Sequence, residues 1–345
     1  LAFPAHNDSY VKLGFFNKYM ASEQRSPTKL PAHGQSSLDV LKRLDDLRND
    51  DVRWRDGRAF SLAYFAGAEV QALAEDAYKR CAGDNALNTA AFPSLRRMQA
   101  EVLDFASLWL GADSNSAGYF TSGGTESILM ALKAARDQFA QDRGVSKPNV
   151  VLPSSAHAAF AKAGAYFGIE LRRTAVKSDW RADVEAMRMA IDENTIMVAC
   201  SAPQYPQGVI DDVPAVAAFA LEMGINCHVD ACMGGVSLAY LERLGRNIPS
   251  WNFRVPGVTS MSVDLHKFGY TSKGSSVIMY ADKRLRSFQG FFTDDWLGGM
   301  YASSGMLGTK SGGPIAAAWA VMNHLGDDGY KKLTQQALVA TSRLA

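Results

Sequence analysis

The chain has 345 residues, of which 47% are hydrophobic and 21% charged, with a formal net charge of +1. That length holds one large α/β domain plus smaller pieces, and the apolar content is ample for a buried core. A near-neutral balance without single-sign runs gives no reason to expect nucleic acid as a partner. No apolar run approaches the ~20 residues that span a bilayer.

Residues 1–60 differ in character from the rest. Within them SSLDVLKRLDDLRNDDVRW reads as a capped amphipathic helix, with Leu38, Val40, Leu41, Leu44 and Leu47 apolar and charges elsewhere. The chain begins at Leu1 without a methionine, so an upstream segment is expected. After residue 100 the pattern is regular. Helix 126–140 is followed by strand 150–153, a helix from about 157, strand 170–176, helix 181–192 and strand 195–201. Then come helix 213–223, strand 226–230, strand 258–264 and the apolar run SSVIMYA, and the chain stops within a helical pattern, QQALVATSRLA. Strands alternating with amphipathic helices predict an α/β fold with a mainly parallel sheet covered on both faces, with ligands outside the carboxyl ends of the strands. Cys81, Cys200, Cys227 and Cys232 show no CxxC spacing and sit in or beside apolar runs, so they read as reduced core thiols of a cytosolic protein.

Four segments carry chemistry. In GYFTSGGTESILMALKAARDQ the turn Ser122-Gly123-Gly124-Thr125 precedes an amphipathic helix opened by Glu126. Free backbone N–H groups and the positive end of the helix dipole make such a turn a phosphate cradle, and Thr125 adds a hydroxyl donor. It matches neither GxGxxG nor GxxxxGKS, and SGGTE also makes a plain helix cap. In VVLPSSAHAAFAKA a strand and turn present His157 just before an alanine-rich helix; an imidazole there either stacks on a flat ring or faces water. In INCHVDACMGG an apolar strand delivers Asp230, 37 residues before Lys267, with small residues Ala231 and Gly234 behind it. Standing alone, a strand-end Asp is usually a turn or cap. In SVDLHKFGYTSKGSS a strand ends in a turn carrying His266 and Lys267, with Gly269 close behind. A lysine that forms a Schiff base needs a pKa below its solvent value, which burial beside other cations supplies.

Taken together, a phosphate cradle, a stacking imidazole, a carboxylate for a ring nitrogen and a reactive amine are the partners that pyridoxal 5'-phosphate requires. Their order and spacing resemble the fold-type I pyridoxal-phosphate enzymes of the amino-acid decarboxylase branch, and most closely the sphingosine-1-phosphate lyases. The resemblance is carried by NALNTAAFPSLRRMQAEV, TSGGTESILMALKAARD, PSSAHAAFAKA, SAPQYPQGVIDDV, HVDACMGG, DLHKFGYTSKGSS and GGMYASSGMLGTKSGGPIAAAWAVMNHLGDDGY, spanning about residues 57–330. Lys273, six positions after Lys267, sets the pattern apart from typical decarboxylases.

This resemblance implies a homodimer with shared active sites, in which residues 1–60 clasp the partner, 61–310 form the cofactor-binding domain and 311–345 begin a small C-terminal domain largely missing from the sequence. It implies that Lys267, Asp230, His157, Gly123, Gly124, Thr125 and His266 hold the cofactor, joined by Thr309 of the neighbouring subunit. Tyr205 and Lys273 would line the reacting bond, and Tyr64, Asn88 and Lys273 would hold a substrate phosphate, with Tyr64 acting across the dimer interface. The family often has serine and arginine where Thr309 and Lys310 stand, so a hydroxyl and a charge remain but the bidentate fork is lost. Where the family commonly has histidine and then proline, Asn88 offers a hydrogen bond without a charge. The implied reaction is retro-aldol cleavage of a phosphorylated long-chain base in the cytoplasm, without a metal. The alternatives are an amino-acid decarboxylase of the same fold and a cofactor-binding protein without turnover.

Overall fold

The computed structural model describes residues 28–57, 59 and 62–344; the first 27 residues of the N-terminal segment, for which a helical clasp is expected, lie outside it. Contacts divide the chain into two units, Leu1–Ser61 and Leu62–Ala345. In the first unit α1 (Ser37–Leu47) forms where the leucine stripe predicts it, with Ser36 as N-cap accepting from Asp39 N–H at 3.1 Å. Its stripe stays open to solvent, with Leu38 and Leu47 75% and 68% exposed.

The second unit begins with α2 (Ala68–Cys81) and α3 (Pro93–Leu110), then β1 (Ala117–Thr121) and α4 (Gly124–Arg143). Next come β2 (Asn149–Pro153), α5 (Ala159–Phe167), β3 (Glu170–Thr174), α6 (Val184–Met189) and β4 (Thr195–Ser201). They are followed by α7 (Val213–Met223), β5 (Asn226–Asp230), α8 (Gly234–Arg243), β6 (Ser260–Val263) and β7 (Ser276–Tyr280). The chain closes with α9 (Lys283–Ser287), a small hairpin of β8 (Phe291–Thr293) and β9 (Tyr301–Ser303), and α10 (Gly313–Leu344).

Seven strands form the main sheet in the order β1-β7-β6-β5-β4-β2-β3. Pairing is parallel from β6 to β3, and β7 runs antiparallel to both β6 and β1. β2, β4, β5, β6 and β7 are buried along their whole length, as expected of strands covered on both faces. β3 ends the sheet with Glu170, Arg172 and Arg173, charges that discourage edge-to-edge pairing. Because β7 alone is reversed, β1, β6, β5, β4 and β2 all deliver their carboxyl ends to one rim. This is the fold-type I α/β architecture.

Two expectations need adjusting. The helix expected over 181–192 is cut to Val184–Met189, because Asp183 caps it on Ala186 N–H at 3.2 Å and residues 176 and 182 form a bridge. The boundary at 310/311 is not visible in the packing. The first half of α10 buries Ile315, Ala317, Ala318, Val321 and Met322, and packs on α2 and α3. Beyond its kink at Gly326, Tyr330 is buried, stacked on Tyr240 at 5.3 Å.

Candidate active site

The rim of strand ends surrounds a cavity of about 550 Å³ lined by the Ser122–Glu126 turn, His157, Tyr205, Asp230, Asp264, His266 and Lys267. β1 leads into the glycine turn, β2 into the His157 loop and β4 into the Tyr205 loop. β5 ends at Asp230 and β6 runs into the turn of Lys267. Residues from five separate segments thus meet because the sheet brings their strands to one edge.

The glycine turn fits a phosphate. Helix α4 starts at Gly124 with no side-chain cap at Gly123, so its first turn faces the cavity with the positive end of a 20-residue dipole. Gly124 is required by space. A Cβ there would stand 2.6 Å from Cys232 Sγ and 2.8 Å from Asp264 Oδ1. Thr125 is exposed at the same turn. Glu126, the first acidic residue of the helix, is spent on the fold: its carboxylate accepts from Ser122 N–H at 2.6 Å, Ser122 Oγ at 2.7 Å and Met306 N–H at 3.0 Å. It ties the turn to the strand-end side and to the segment before Thr309. A buried ring atom also awaits a partner, His266 Nδ1, in the cavity wall. Burial holds the His266 imidazole below its ordinary pKa despite Asp264 nearby. His157, exposed at the mouth, accepts Ala159 N–H on Nδ1 at 3.1 Å, which fixes the ring at the start of α5. The opening of the turn, with the orphaned His266 nitrogen beside it, matches the phosphate of pyridoxal phosphate, and the Asp230 carboxylate matches its ring nitrogen.

Lys267 departs from expectation. Its Nζ lies 2.7 Å from Asp264 Oδ2, a carboxylate only 4% exposed that also accepts from Ser276 Oγ. Burial, the largest single influence, pulls the Lys267 pKa down, but the charge and hydrogen bond of Asp264 outweigh it and hold the ammonium above its ordinary range. The expected depression is therefore corrected, because the decisive neighbour is an anion rather than another cation. Tethering a cofactor aldehyde needs the neutral amine, so loading is expected to speed up with rising pH, about tenfold per unit below the lysine pKa. Asp264→Asn removes the pair and should make loading at pH 7 about tenfold or more faster in stopped-flow absorbance. An unchanged rate and slope would show that Asp264 does not control the amine.

The turn itself is tight. A Cβ on Gly269 would meet Leu265 O at 2.3 Å, and Tyr330 Oη donates to Gly269 O at 3.0 Å, so α10 braces the segment behind Lys267.

A second cavity of about 270 Å³ adjoins the first, sharing His157, Tyr205, His266 and Lys267, and adds Leu62, Tyr64 and Lys273. Lys273 Nζ donates to Leu62 O at 2.8 Å and His266 O at 3.2 Å, and lies 5.2 Å from the centre of the Tyr64 ring. Burial lowers the Lys273 pKa, opposed by Asp264 and reinforced by Lys267. The depressed lysine is thus Lys273. Tyr64 rests against Phe268 at 5.3 Å and its hydroxyl approaches Met233 Sδ at 3.8 Å. Burial raises its pKa against the pull of Lys267. Tyr64 therefore faces the site of its own chain. Phe268 and Met233 of the same chain seat it there. Tyr205, 47% exposed, stands between the two cavities.

Thr309 and Asn88 are not brought in. Both are exposed and line neither cavity, and Asn88 Oδ1 accepts from Ala91 N–H at 3.3 Å. The charge of Lys310 is used locally, donating to Tyr119 Oη at 2.9 Å and Phe120 O at 3.2 Å. All four cysteines are free, and Cys200, Cys227 and Cys232 are buried. The sequence reading missed Asp264. Its signal was present, since an acid three residues before a lysine in a turn can fold back onto it. Among the described residues no cluster of ligating side chains could hold a metal.

Comparison with known proteins agrees with this geometry. The pyridoxal-dependent decarboxylase conserved domain matches residues 20–344. The chain belongs to that family. Pyridoxal 5'-phosphate is accordingly its cofactor. Within this decarboxylase family the chain is 45% identical over 315 residues to sphingosine-1-phosphate lyase 1 of Rattus norvegicus, covering 91% of the chain and 55% of the relative. It is 38% identical over 341 residues to sphingosine-1-phosphate lyase of Drosophila melanogaster, covering 98% and 62%. The solved sphingosine-1-phosphate lyase of Burkholderia pseudomallei K96243 is similar at 37% identity and a TM-score of 0.87, covering 91% of this chain and 74% of that one. The chain thus spans a little over half the length of these curated relatives.

Proposed function

We propose that this protein is a lyase that cleaves the Cα–Cβ bond of sphingosine 1-phosphate or a related phosphorylated long-chain base, giving a long-chain aldehyde and phosphoethanolamine. The observation that carries the reading is the second cavity, where a lysine with a lowered pKa, Lys273, and Tyr64 stand beside Lys267. A decarboxylase has no proton to take from a β-hydroxyl; a retro-aldol lyase does.

Pyridoxal phosphate, when bound, supplies the electron sink for the pair released as the carbon–carbon bond breaks. Lys267 supplies the amine that tethers it. Asp230 offers the carboxylate for the ring nitrogen, and the helix α4 terminus with Thr125 and His266 takes the phosphate. His157 guards the open face at the mouth of the cavity. Lys273 accepts the proton of the substrate C3 hydroxyl, with Tyr205 at the shared boundary of the two cavities as its companion. In its charged form the same Lys273, together with the Tyr64 hydroxyl, suits the substrate phosphate.

We further propose a cytoplasmic homodimer. Thr309 and Asn88 are exposed and off their own chain's cavities, positions that suit reaching a neighbour's site, and the open leucine stripe of α1 suits a clasp. Among the described residues no helix is long and apolar enough to cross a membrane.

Mass-spectrometric product analysis of protein loaded with cofactor and given a phosphorylated long-chain base tests the proposal. Aldehyde and phosphoethanolamine in equal amounts are expected. Carbon dioxide from an amino-acid panel, without aldehyde, would instead assign a decarboxylase.

A further inference from the structure

Strands β5 and β6 carry a polar line that the proposed chemistry leaves unused. His228 is fully buried two residues before Asp230, so the two side chains share one face of the sheet. Strand register places Ser260 beside His228 and Ser262 beside Asp230. His228 Nδ1 lies 2.9 Å from Ser260 Oγ, and Nε2 lies 3.3 Å from Ser262 Oγ. Ser262 Oγ in turn lies 3.2 Å from Asp230 Oδ1, which also accepts Cys232 N–H at 3.1 Å.

Counting protons gives this line a direction. A carboxylate only accepts, so Ser262 spends its single hydroxyl proton on Asp230. Ser262 must then accept from His228, which places the imidazole hydrogen on Nε2. A neutral ring leaves Nδ1 bare, and Ser260 donates to it. Burial supports the neutral ring, pulling the His228 pKa down to about 4 against the opposing charge of Asp230. Phe160 closes the site edge-on at 5.9 Å. Every donor therefore points toward Asp230, the arrangement in which hydrogen bonds polarise one another most. Both described donors to Asp230 fall on Oδ1, which leaves Oδ2 for the cofactor.

We propose that Ser260, His228 and Ser262 form a positioning relay for Asp230, fixing which carboxylate oxygen meets the ring nitrogen of the cofactor. His228 acts through Ser262 and touches neither cofactor nor substrate. The inference rests on the family's cofactor and not on the lyase reading, so a negative product assay leaves it standing.

The test uses the holoenzyme and two readouts that need no turnover: cofactor affinity, and the pH midpoint of the bound cofactor's absorbance. Ser262→Ala and His228→Leu should each weaken cofactor affinity about tenfold and move the midpoint in the same direction. His228→Gln keeps one donor and one acceptor, and should stay within about twofold of wild type. The His228→Leu/Ser262→Ala pair should be no worse than Ser262→Ala alone, because the groups act in series. If His228→Leu does not fold, Ser262→Ala and His228→Gln decide. Wild-type affinity and midpoint in Ser262→Ala would overturn the relay. So would a double variant whose losses multiply, or a His228→Gln as impaired as His228→Leu.

Discussion

Replacing Lys267 with alanine is expected to abolish product formation, at least about 10³-fold, and to remove the absorbance of the tethered cofactor. The Lys267 amine is the group proposed to tether the aldehyde, and Lys273 is held away from it by Leu62 O and His266 O. A second consequence follows from Asp264. Its carboxylate is 4% exposed and paired with Lys267 at 2.7 Å, so the substitution leaves a buried charge without its cation. Stranding one partner of such a pair costs about 3 kcal/mol, or roughly 4 °C in melting temperature for a chain of this size. Lys267→Ala/Asp264→Asn should recover most of that loss while staying inactive. Differential scanning calorimetry on both cofactor-free variants checks it. A Lys267→Ala protein as stable as wild type would mean that Asp264 is satisfied by Ser276 alone or takes up a proton.

Much of the sheet was legible because its strands are apolar runs stopped by polar turns. VVLP, TIMVACS and NCHVD each map onto β2, β4 and β5 within a residue. β1 was not, since AGYFT is short and half-buried at its start, and its pairing partner β7 lies some 160 residues away. A strand defined by a non-local ladder leaves little trace in its own residues. The reactive turn was legible for a similar local reason, whereas the electrostatic state of its lysine was not. Whether Lys267 or Lys273 carries the depressed pKa depends on the distance of each from Asp264, which the order of residues does not contain. Tyr64 shows the same limit. Its seat against Phe268 joins positions about 200 residues apart, so its place in the wall of its own chain's cavity was not legible in the sequence.

The contrast between the two lysines makes the last prediction specific. Lys273 is exposed on one side, but burial lowers its pKa and Lys267 reinforces the shift, while Asp264 opposes it. A lowered pKa enlarges the fraction of neutral amine at neutral pH, and a base that takes the C3 hydroxyl proton must be neutral. The turnover rate should therefore rise with pH, about tenfold per unit, and level off at the Lys273 pKa below the ordinary lysine range. Lys273→Met should lower turnover by about 10²–10⁴ with cofactor loading intact. Lys273→Arg separates the two roles assigned to this side chain. Arginine keeps the positive charge for a substrate phosphate but stays protonated across the working range. It should hold the Michaelis constant near wild type, lose turnover as Lys273→Met does, and erase the rising limb of the pH profile. If Lys273→Arg kept both turnover and the rising limb, the base would be another group, and Tyr205, which lines both cavities, would be the first to substitute.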